Sequence, residues 1–318
     1  IFYGSFCLPY IKTFYTDMKV LKFGGTSVGS VSSLQSVKNI VSSCTEQVVV
    51  VVSAMSGVTN RLIEAHAVAR RGDKAYEGIV ESLHELHIAT AEQLVATDRL
   101  QALKQQIDTM FADELLPTLR YLASGETIHE PFATRFADEV VSYGERLSST
   151  LIYCLFDNCA YMYSPSFIRT VTNRTTGTRH ADLPLCAQLT REAFAGFTAP
   201  VAIAPGFIAA DAHNADVITN LGRGGSDFTA AIIAAALHAS QLEIWTDVDG
   251  FMTADPRTHA DATVIPHMTY SQAQAMCDAG AKVIYPPTIK PVEELNIPVW
   301  VKNTFNPQAS GTVITSGD

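Results

Sequence analysis

Short apolar runs recur along this chain, and each ends in a loop of small or polar residues. The clearest runs are Val20-Leu21, Val48–Val52 and Val201–Ala204, and Leu242–Trp245 follows the same pattern apart from Glu243. β-Branched runs that are apolar on both faces are typical of central parallel strands. The repeating order of strand, loop and helix therefore predicts an open, mostly parallel α/β sheet.

The helical stretches are of two kinds. Phe228–Ala239 is rich in alanine and predicts a buried helix, for which Ser226 or Asp227 is a natural N-cap. Glu81–Leu122 instead has the apolar and polar periodicity of long amphipathic helices. We therefore expect a helical insertion in the α/β body at about residues 73–143. A further helix should begin near Arg61.

A lysine and a glycine pair follow the first predicted strand, in Lys22–Ser27 (KFGGTS). Glycines let backbone N–H groups approach an anion closely, and a following helix adds its positive dipole end. The lysine precedes the glycines, so neither the P-loop nor the dinucleotide-binding pattern fits. The motif indicates either phosphate binding or only a tight turn.

A second glycine-rich loop, Leu221–Asp227 (LGRGGSD), precedes the alanine-rich helix. A capped helix after a flexible turn would explain Asp227, but it would not explain an arginine between glycines. Arg223 could grip a carboxylate or phosphate with two hydrogen bonds. This favours a functional loop.

Two more unusual loops, Ser53–Asn60 and Thr246–Gly250, also follow predicted strands. In open α/β sheets, ligands bind beyond the carboxyl ends of the strands. We therefore expect the loops to converge on one crevice. The Arg169–His180 segment, with three arginines among polar residues, predicts a solvated mobile loop.

Composition narrows the class of protein. The chain has 318 residues, of which 47% are hydrophobic, enough for one large domain or two tightly joined lobes. Its net charge of −10 argues against nucleic acid as a partner. No apolar run is long enough to span a membrane. Six cysteines without a Cys-x-x-Cys pair indicate reduced thiols and a cytoplasmic protein.

The first residues, 1–17, read as an N-terminal extension outside the core. They lack a basic region and a cleavage site, so they make a poor signal peptide, and Met18 is a possible initiator. His84 and His87 share a helical face without further ligands at metal spacing, so we expect no zinc site there.

Seven motifs together resemble the catalytic domain of aspartokinases, in the amino-acid kinase family, from Met18 to the chain end. They are KFGGTS (22–27), SAMSGVTN (53–60), SYGE (142–145), LGRGGSD (221–227), WTDVDG (245–250), DPR (255–257) and GAKV (280–283). The tail from Val301 to Gln308 resembles the kinase half of bifunctional aspartokinase–homoserine dehydrogenases. The resemblance implies a three-layer αβα sandwich with a mostly parallel central sheet, occupying residues 18–315.

The resemblance also implies a reaction: MgATP phosphorylates the β-carboxylate of L-aspartate, the first step towards lysine, threonine and methionine. The implied catalytic residues are Lys22, Asp227 and Lys282. The implied substrate-binding residues are Ser53, Thr59, Glu145, Arg223, Gly224, Gly225 and Ser226. The implied nucleotide-binding residues are Lys22, Phe23, Gly24, Gly25, Thr246, Asp247, Met252, Arg257, Lys282 and Val283.

One of these positions departs from the family pattern, since many aspartokinases have tyrosine at Met252. A methionine can pack against adenine or ribose but loses the phenol's hydrogen bond. Phosphate oxygens and water are expected to hold Mg²⁺, so no protein metal ligand is named.

Two alternatives remain open: another amino-acid kinase, of the acetylglutamate or glutamate 5-kinase type, and a silent nucleotide-binding regulatory domain. Both lysines and Asp227 argue against the second. By the resemblance, regulatory ACT domains would lie outside these residues, so we expect insensitivity to lysine and threonine. The full-length protein is expected to be a homo-oligomer.

Overall fold

A central sheet of eight strands organises the computed structural model, which describes residues 18–173, 175–254, 258–259, 261–281 and 283–317. The strand order in this sheet is β10-β12-β11-β9-β1-β2-β6-β3, and a second sheet of four strands has the order β5-β4-β7-β8. The strands are β1 (Lys19–Phe23), β2 (Val48–Val52), β3 (Cys159–Tyr161), β4 (Arg169–Thr172), β5 (Arg179–Ala181), β6 (Val201–Pro205), β7 (Ile208–Asp211), β8 (Ile218–Asn220), β9 (Gln241–Thr246), β10 (His267–Thr269), β11 (Val299–Asn303) and β12 (Thr312–Thr315).

The neighbouring strands of the central sheet run parallel except for β11 and β12. Phe23 at the end of β1 lies opposite Val52 of β2 and Trp245 of β9, and Val52 lies opposite Pro205 of β6. These four strands therefore end at the same edge, where their loops meet. The predicted mostly parallel sheet is confirmed.

Ten α-helices, counted over the described ranges, cover the sheets. They are α1 (Val31–Ser42), α2 (Val58–Ala69), α3 (Tyr76–Leu94), α4 (Thr97–Thr109), α5 (Leu116–Leu122), α6 (Phe132–Tyr153), α7 (Leu183–Ala193), α8 (Gly225–Leu237), α9 (Tyr270–Asp278) and α10 (Ile289–Glu293). A π-helical turn, Met110–Leu115, joins α4 to α5.

The two faces of the central sheet belong to two hydrophobic cores. Val50 and Leu21 point to the face covered by helices that include α1, α2 and α6. Val49 and Val20 point to the opposite face, covered by helices that include α8 and α10. A sheet buried on both faces explains why β2 consists of five valines. The three-layer αβα arrangement is confirmed.

The helical segment between residues 73 and 143 is not an isolated lobe. Buried side chains of α3, α4 and α5, such as Leu83, Leu103 and Leu119, belong to the same core as the sheet's α2 face. Its end, α6, continues into the α/β body as one helix of 22 residues. Residues far apart along α6 are therefore held in a fixed relation.

The prediction of a mobile loop at Arg169–His180 was wrong. This segment includes an antiparallel hairpin, in which Thr172 of β4 pairs with Arg179 of β5. Thr170 is fully buried, and its hydroxyl shares a 2.8 Å hydrogen bond with that of Thr219. Three consecutive β-branched residues, Thr170–Thr172, favour a strand, and this signal outweighs the polar composition.

Within the described ranges, no helix combines the length and apolarity needed to cross a membrane. The five cysteines that fall in those ranges are free thiols.

Candidate active site

The loops at the shared edge of the central sheet enclose a cleft of ≈ 560 Å³. We call this the cleft throughout. Its lining residues are Lys22, Gly24, Gly25, Thr26, Ser53, Ala54, Met55, Ser56, Gly57, Thr59, Asn60, Glu145, Phe207, Gly222, Arg223, Gly224, Gly225, Ser226, Asp227, Thr246, Asp247 and Val283. The predicted convergence of four sequence motifs therefore occurs in the folded chain.

A buried ion pair lies in the cleft. The Lys22 Nζ is 2.6 Å from the Asp227 Oδ1, and both side chains are nearly inaccessible to solvent. The second oxygen of Asp227 accepts a hydrogen bond of 3.2 Å from the backbone N–H of Tyr285. Asp227 thus fixes the position of the lysine ammonium and ties it to the segment after residue 282.

The glycine pair lies beside this lysine. A Cβ added to Gly24 would lie 3.4 Å from the Lys22 Nζ. A Cβ on Gly25 would approach the carbonyl oxygen of Ala54 to 3.1 Å. The glycine pair therefore leaves backbone accessible beside a positive charge, which suits an anion such as a phosphate.

Helix α8 begins earlier than the sequence predicts. Its N-cap is Gly224, with φ of 70°, so the prediction of Ser226 or Asp227 as N-cap was wrong. The left-handed conformation that glycine allows starts the helix at Gly225 and puts Asp227 inside its first turn. The Asp227 side chain is consequently directed to Lys22 rather than to its own backbone. A carboxylate in this turn also complements the helix dipole.

Glu145 is a nearly fully buried carboxyl group in α6, 4% exposed. Its Oε1 accepts a 3.1 Å hydrogen bond from the backbone N–H of Ala54, whereas its Oε2 has no hydrogen-bond partner among the described residues. Burial raises the pKa of Glu145 to about 8, against the opposing effects of the Ala54 hydrogen bond and the Lys22 charge. An unpaired carboxyl oxygen at a cleft wall is suited to a cationic ligand group.

Arg223 lies in the exposed glycine-rich loop between β8 and α8. Its neighbours Gly222 and Gly224 both have positive φ, of 74° and 70°. Such a backbone turns sharply on either side of the arginine. The cleft therefore has an exposed arginine side chain in addition to the buried Lys22.

Most of the predicted site residues line the cleft. Two do not: the Phe23 side chain is fully buried and stacks on Trp245, and Met252 lies outside the cleft in a bridge with Val264. Phe23 alternates with Lys22 along β1, so its side chain points into the core. Lys282 and Arg257 lie outside the described residues.

The sequence analysis assigned no role to several lining residues. Thr26, Ser56 and Asn60 are within motifs that it recognised. Phe207 is different: it has φ of 63°, unusual for a residue other than glycine, and its N–H donates to the Thr229 hydroxyl. The only signal for Phe207 was its position directly after the strand end Pro205-Gly206.

Comparison with known proteins gives the family. The model of the amino acid kinase family matches residues 17–303, most of the chain. The chain belongs to the amino acid kinase family. Its mostly parallel central sheet, covered by helices on both faces, is the fold of an amino acid kinase.

Similar members of the family bear aspartokinase names. The chain is 34% identical, over 93% of its length, both to bifunctional aspartokinase/homoserine dehydrogenase 2 of Zea mays and to aspartokinase 3 of Arabidopsis thaliana. It spans 32% and 52% of these two proteins, which are both described as chloroplastic.

A similar solved structure is that of E. coli aspartokinase III in complex with aspartate and ADP. The TM-score is 0.81 at 30% identity, over 95% of this chain and 65% of that one. The plant and bacterial relatives thus align with more than nine-tenths of this amino acid kinase chain, covering 93% and 95% of its length.

Proposed function

We propose that this chain catalyses the transfer of the γ-phosphoryl group of ATP to the β-carboxylate of L-aspartate. The observation that carries the proposal is the buried Glu145 carboxyl with an unpaired oxygen, in the same cleft as the Lys22–Asp227 pair. A site for a cation, an exposed arginine and a lysine beside glycines together suit an amino acid and a phosphate. The aspartokinase names of the relatives support this substrate.

The reaction needs no general base on the enzyme. The side-chain carboxylate of an amino acid has a pKa near ~4 and is already ionised at neutral pH. Two anions must instead be brought together, so catalysis depends on positioning and on neutralising charge. Lys22, held by Asp227 at 2.6 Å, supplies a positive charge without reorganisation.

The amino acid would be held at both of its charged ends. Glu145 pairs with the α-ammonium through its free Oε2, and Arg223 forms a forked contact with the α-carboxylate. Ser53, Thr59 and the start of α8 at Gly224–Ser226 line the same cleft and supply hydroxyl or backbone donors. An acceptor that lacks a free ammonium leaves Glu145 without a partner, which disfavours N-acylated substrates.

The nucleotide would lie along the other strand ends. Gly24, Gly25, Thr246, Asp247 and Val283 line this part of the cleft. Lys282, Arg257 and Met252 remain candidate nucleotide-binding residues on the sequence motifs alone. Phe23 would contribute its backbone, and not its side chain, to the nucleotide site. Residues 18–315 make up the proposed catalytic domain.

Mg²⁺ would come with the nucleotide. The described residues contain no group of three His, Cys, Asp or Glu side chains that could hold a metal ion. The few protein donors available fit an ion that is bound largely by phosphate oxygens and water, as is usual for Mg²⁺. Its charge would offset that of the phosphates, while Lys22 acts on the transferred group.

An ADP-release assay with a panel of acceptors tests the proposal. With MgATP, we expect rapid ADP formation with L-aspartate and little with L-glutamate, N-acetyl-L-glutamate or no acceptor. The Lys22→Met variant is the negative control, because it should lack the phosphoryl-transfer step. Equal ADP release with and without L-aspartate, or preference for an N-acylated acceptor, would contradict the proposal.

A further inference from the structure

A second buried carboxylate, Asp138, lies in α6 outside the cleft lining. It is 7% exposed, and its Oδ1 accepts a 2.6 Å hydrogen bond from the Asn220 Nδ2. Its Oδ2 lies 2.7 Å from the Arg179 Nη2. Burial raises the pKa of Asp138, and the Arg179 guanidinium opposes this shift. The carboxylate thus has one partner on each oxygen.

The two partners come from opposite edges of the four-stranded sheet. Arg179 belongs to β5 and Asn220 to β8, and β4 and β7 lie between them. Both edge strands therefore converge on a single carboxylate of α6. Side chains from three separate segments would not meet on one buried group unless the small sheet were held firmly against the helix.

Asn220 transmits this hold to the glycine-rich loop. It is the last residue of β8, and its Oδ1 accepts a 2.9 Å hydrogen bond from the N–H of Gly222. Gly222 directly precedes Arg223, and its carbonyl accepts from the N–H of Gly225, also at 2.9 Å. The start of the loop is thus fixed through two hydrogen bonds to Asp138.

The same helix carries Glu145, seven residues further on. Seven residues are about two turns of an α-helix, so Asp138 and Glu145 point from the same side of α6. One rigid helix thus holds a proposed partner of the substrate ammonium and the anchor for the Arg223 loop. The distance between the two ends of the amino acid site depends on this helix.

We propose that Asp138 is a positioning residue that sets the place of the Arg223 loop relative to Glu145 and thereby tunes the affinity for the amino acid substrate. This inference rests on the proposed function. It assigns no contact between Asp138 and substrate. It adds Asn220 and Arg179 as the residues through which the carboxylate acts.

Steady-state kinetics of Asp138→Asn test the role. The amide keeps the volume but has one acceptor oxygen where the carboxylate has two. The Arg179 guanidinium takes that oxygen, so an N–H group faces the Asn220 donor and the loop loses its anchor. We expect KM for L-aspartate to rise about tenfold, the effect of weakening one charge-assisted contact, with the KM for ATP unchanged. Asp108→Asn, the same change at a carboxylate that pairs with His84 on the helical segment, should change neither constant.

Two double variants separate positioning from general damage. In an Arg223→Ala background, Asp138→Asn should add little, because the residue it positions is gone. The double variant Asp138→Asn, Asn220→Asp puts the amide on α6 and the carboxylate on β8. It restores one donor and one acceptor between the two side chains and should recover part of the affinity for L-aspartate. If Asp138→Asn does not fold, Asn220→Ala breaks the same link while leaving the Arg179 pair in place.

Trypsin cleavage after Arg223 reports how firmly the glycine-rich loop is held, and it requires no enzyme activity of the protein. Mass spectrometry should show faster cleavage there in Asp138→Asn, relative to cleavage at Arg71 in the α2–α3 turn. An unchanged ratio together with an unchanged aspartate KM would overturn the positioning role. A parent chain that phosphorylates no amino acid would refute the proposed function, whereas the cleavage ratio would still decide the role of Asp138.

Discussion

Replacing Glu145 by glutamine should make the protein more stable and its aspartate binding weaker. The change keeps the shape of the side chain and a carbonyl oxygen for the Ala54 N–H. It removes an ionisable group that folding buries with one oxygen unpaired among the described residues. Stability and function therefore respond in opposite directions, as expected where a functional group is buried at a cost in stability.

The magnitude follows from the raised pKa of Glu145. Below about pH 4.5 this carboxyl is protonated in both folded and unfolded chains. Between its ordinary pKa of 4.5 and its folded pKa of about 8, only the unfolded chain ionises, so stability falls as pH rises. At pH 7 the gap of about 2.5 pKa units, at 1.36 kcal/mol each, corresponds to about 3 kcal/mol.

Urea unfolding of the parent and Glu145→Gln measures this quantity. At each pH, the parent's unfolding free energy is subtracted from that of Glu145→Gln. This difference should be about 3 kcal/mol larger at about pH 7 than at about pH 4.5. Comparing two pH values cancels any difference in packing between the two side chains. Glu64→Gln, at an exposed position of α2, is the matched control and should show no such gain.

Aspartate kinetics give the second half of this prediction. Loss of a charge-assisted contact to the ammonium should raise the aspartate KM by about 10- to 100-fold. In the parent, affinity should rise by roughly tenfold or more between about pH 6.5 and 8.5 as Glu145, with its pKa raised to about 8, ionises, while the variant shows no such rise. A pH-independent stability difference would refute the burial argument, and an unchanged KM would refute the ammonium contact.

Three other substitutions test single contacts in the cleft. Lys22→Met should lower kcat by about a hundredfold or more, because a preorganised charge is lost; near-normal ADP release would remove Lys22 from the chemical step. Arg223→Ala should cost roughly 2–3 kcal/mol of aspartate binding and spare ATP; a raised KM for ATP alone would reverse that assignment. Gly224→Ala should destabilise the fold by about 1–3 kcal/mol in urea unfolding, since its φ is 70° and the added Cβ would clash with the Tyr285 side chain; unchanged stability would show that the α8 start can rearrange.

The central strands and the location of the cleft could be predicted from the sequence. Val48–Val52 is predicted to the residue, and Leu242–Trp245 within one residue at each end. A strand buried on both faces leaves a continuous apolar run, which reads directly from the sequence. Because such strands end at one edge, the loops behind them were expected to meet.

The second sheet could not be predicted in the same way. Its strands have only three or four residues, too few to leave more than a weak pattern in the sequence. Arg179 illustrates the difficulty, because a charged residue in a polar segment gives no sign that it pairs with Asp138 some forty residues earlier. The N-cap of α8 was also misassigned, since the left-handed backbone of Gly224 is a conformational choice that composition does not reveal.

The candidate site was predictable as a set of motifs but not as a set of contacts. The free Oε2 of Glu145 depends on burial by α6 and the Ser53–Asn60 loop, which only the folded chain shows. The same holds for Phe23, whose side chain alternates into the core although its neighbour Lys22 faces the cleft.

Identification of the product tests the central claim most directly. Hydroxylamine converts an acyl phosphate to a hydroxamate, so the reaction with MgATP and L-aspartate can be trapped and analysed by mass spectrometry. The account predicts the β-hydroxamate of aspartate in amounts that match ADP, and none with Lys22→Met. ADP formation with only inorganic phosphate, or a hydroxamate on the α-carboxylate or on another amino acid, would contradict it.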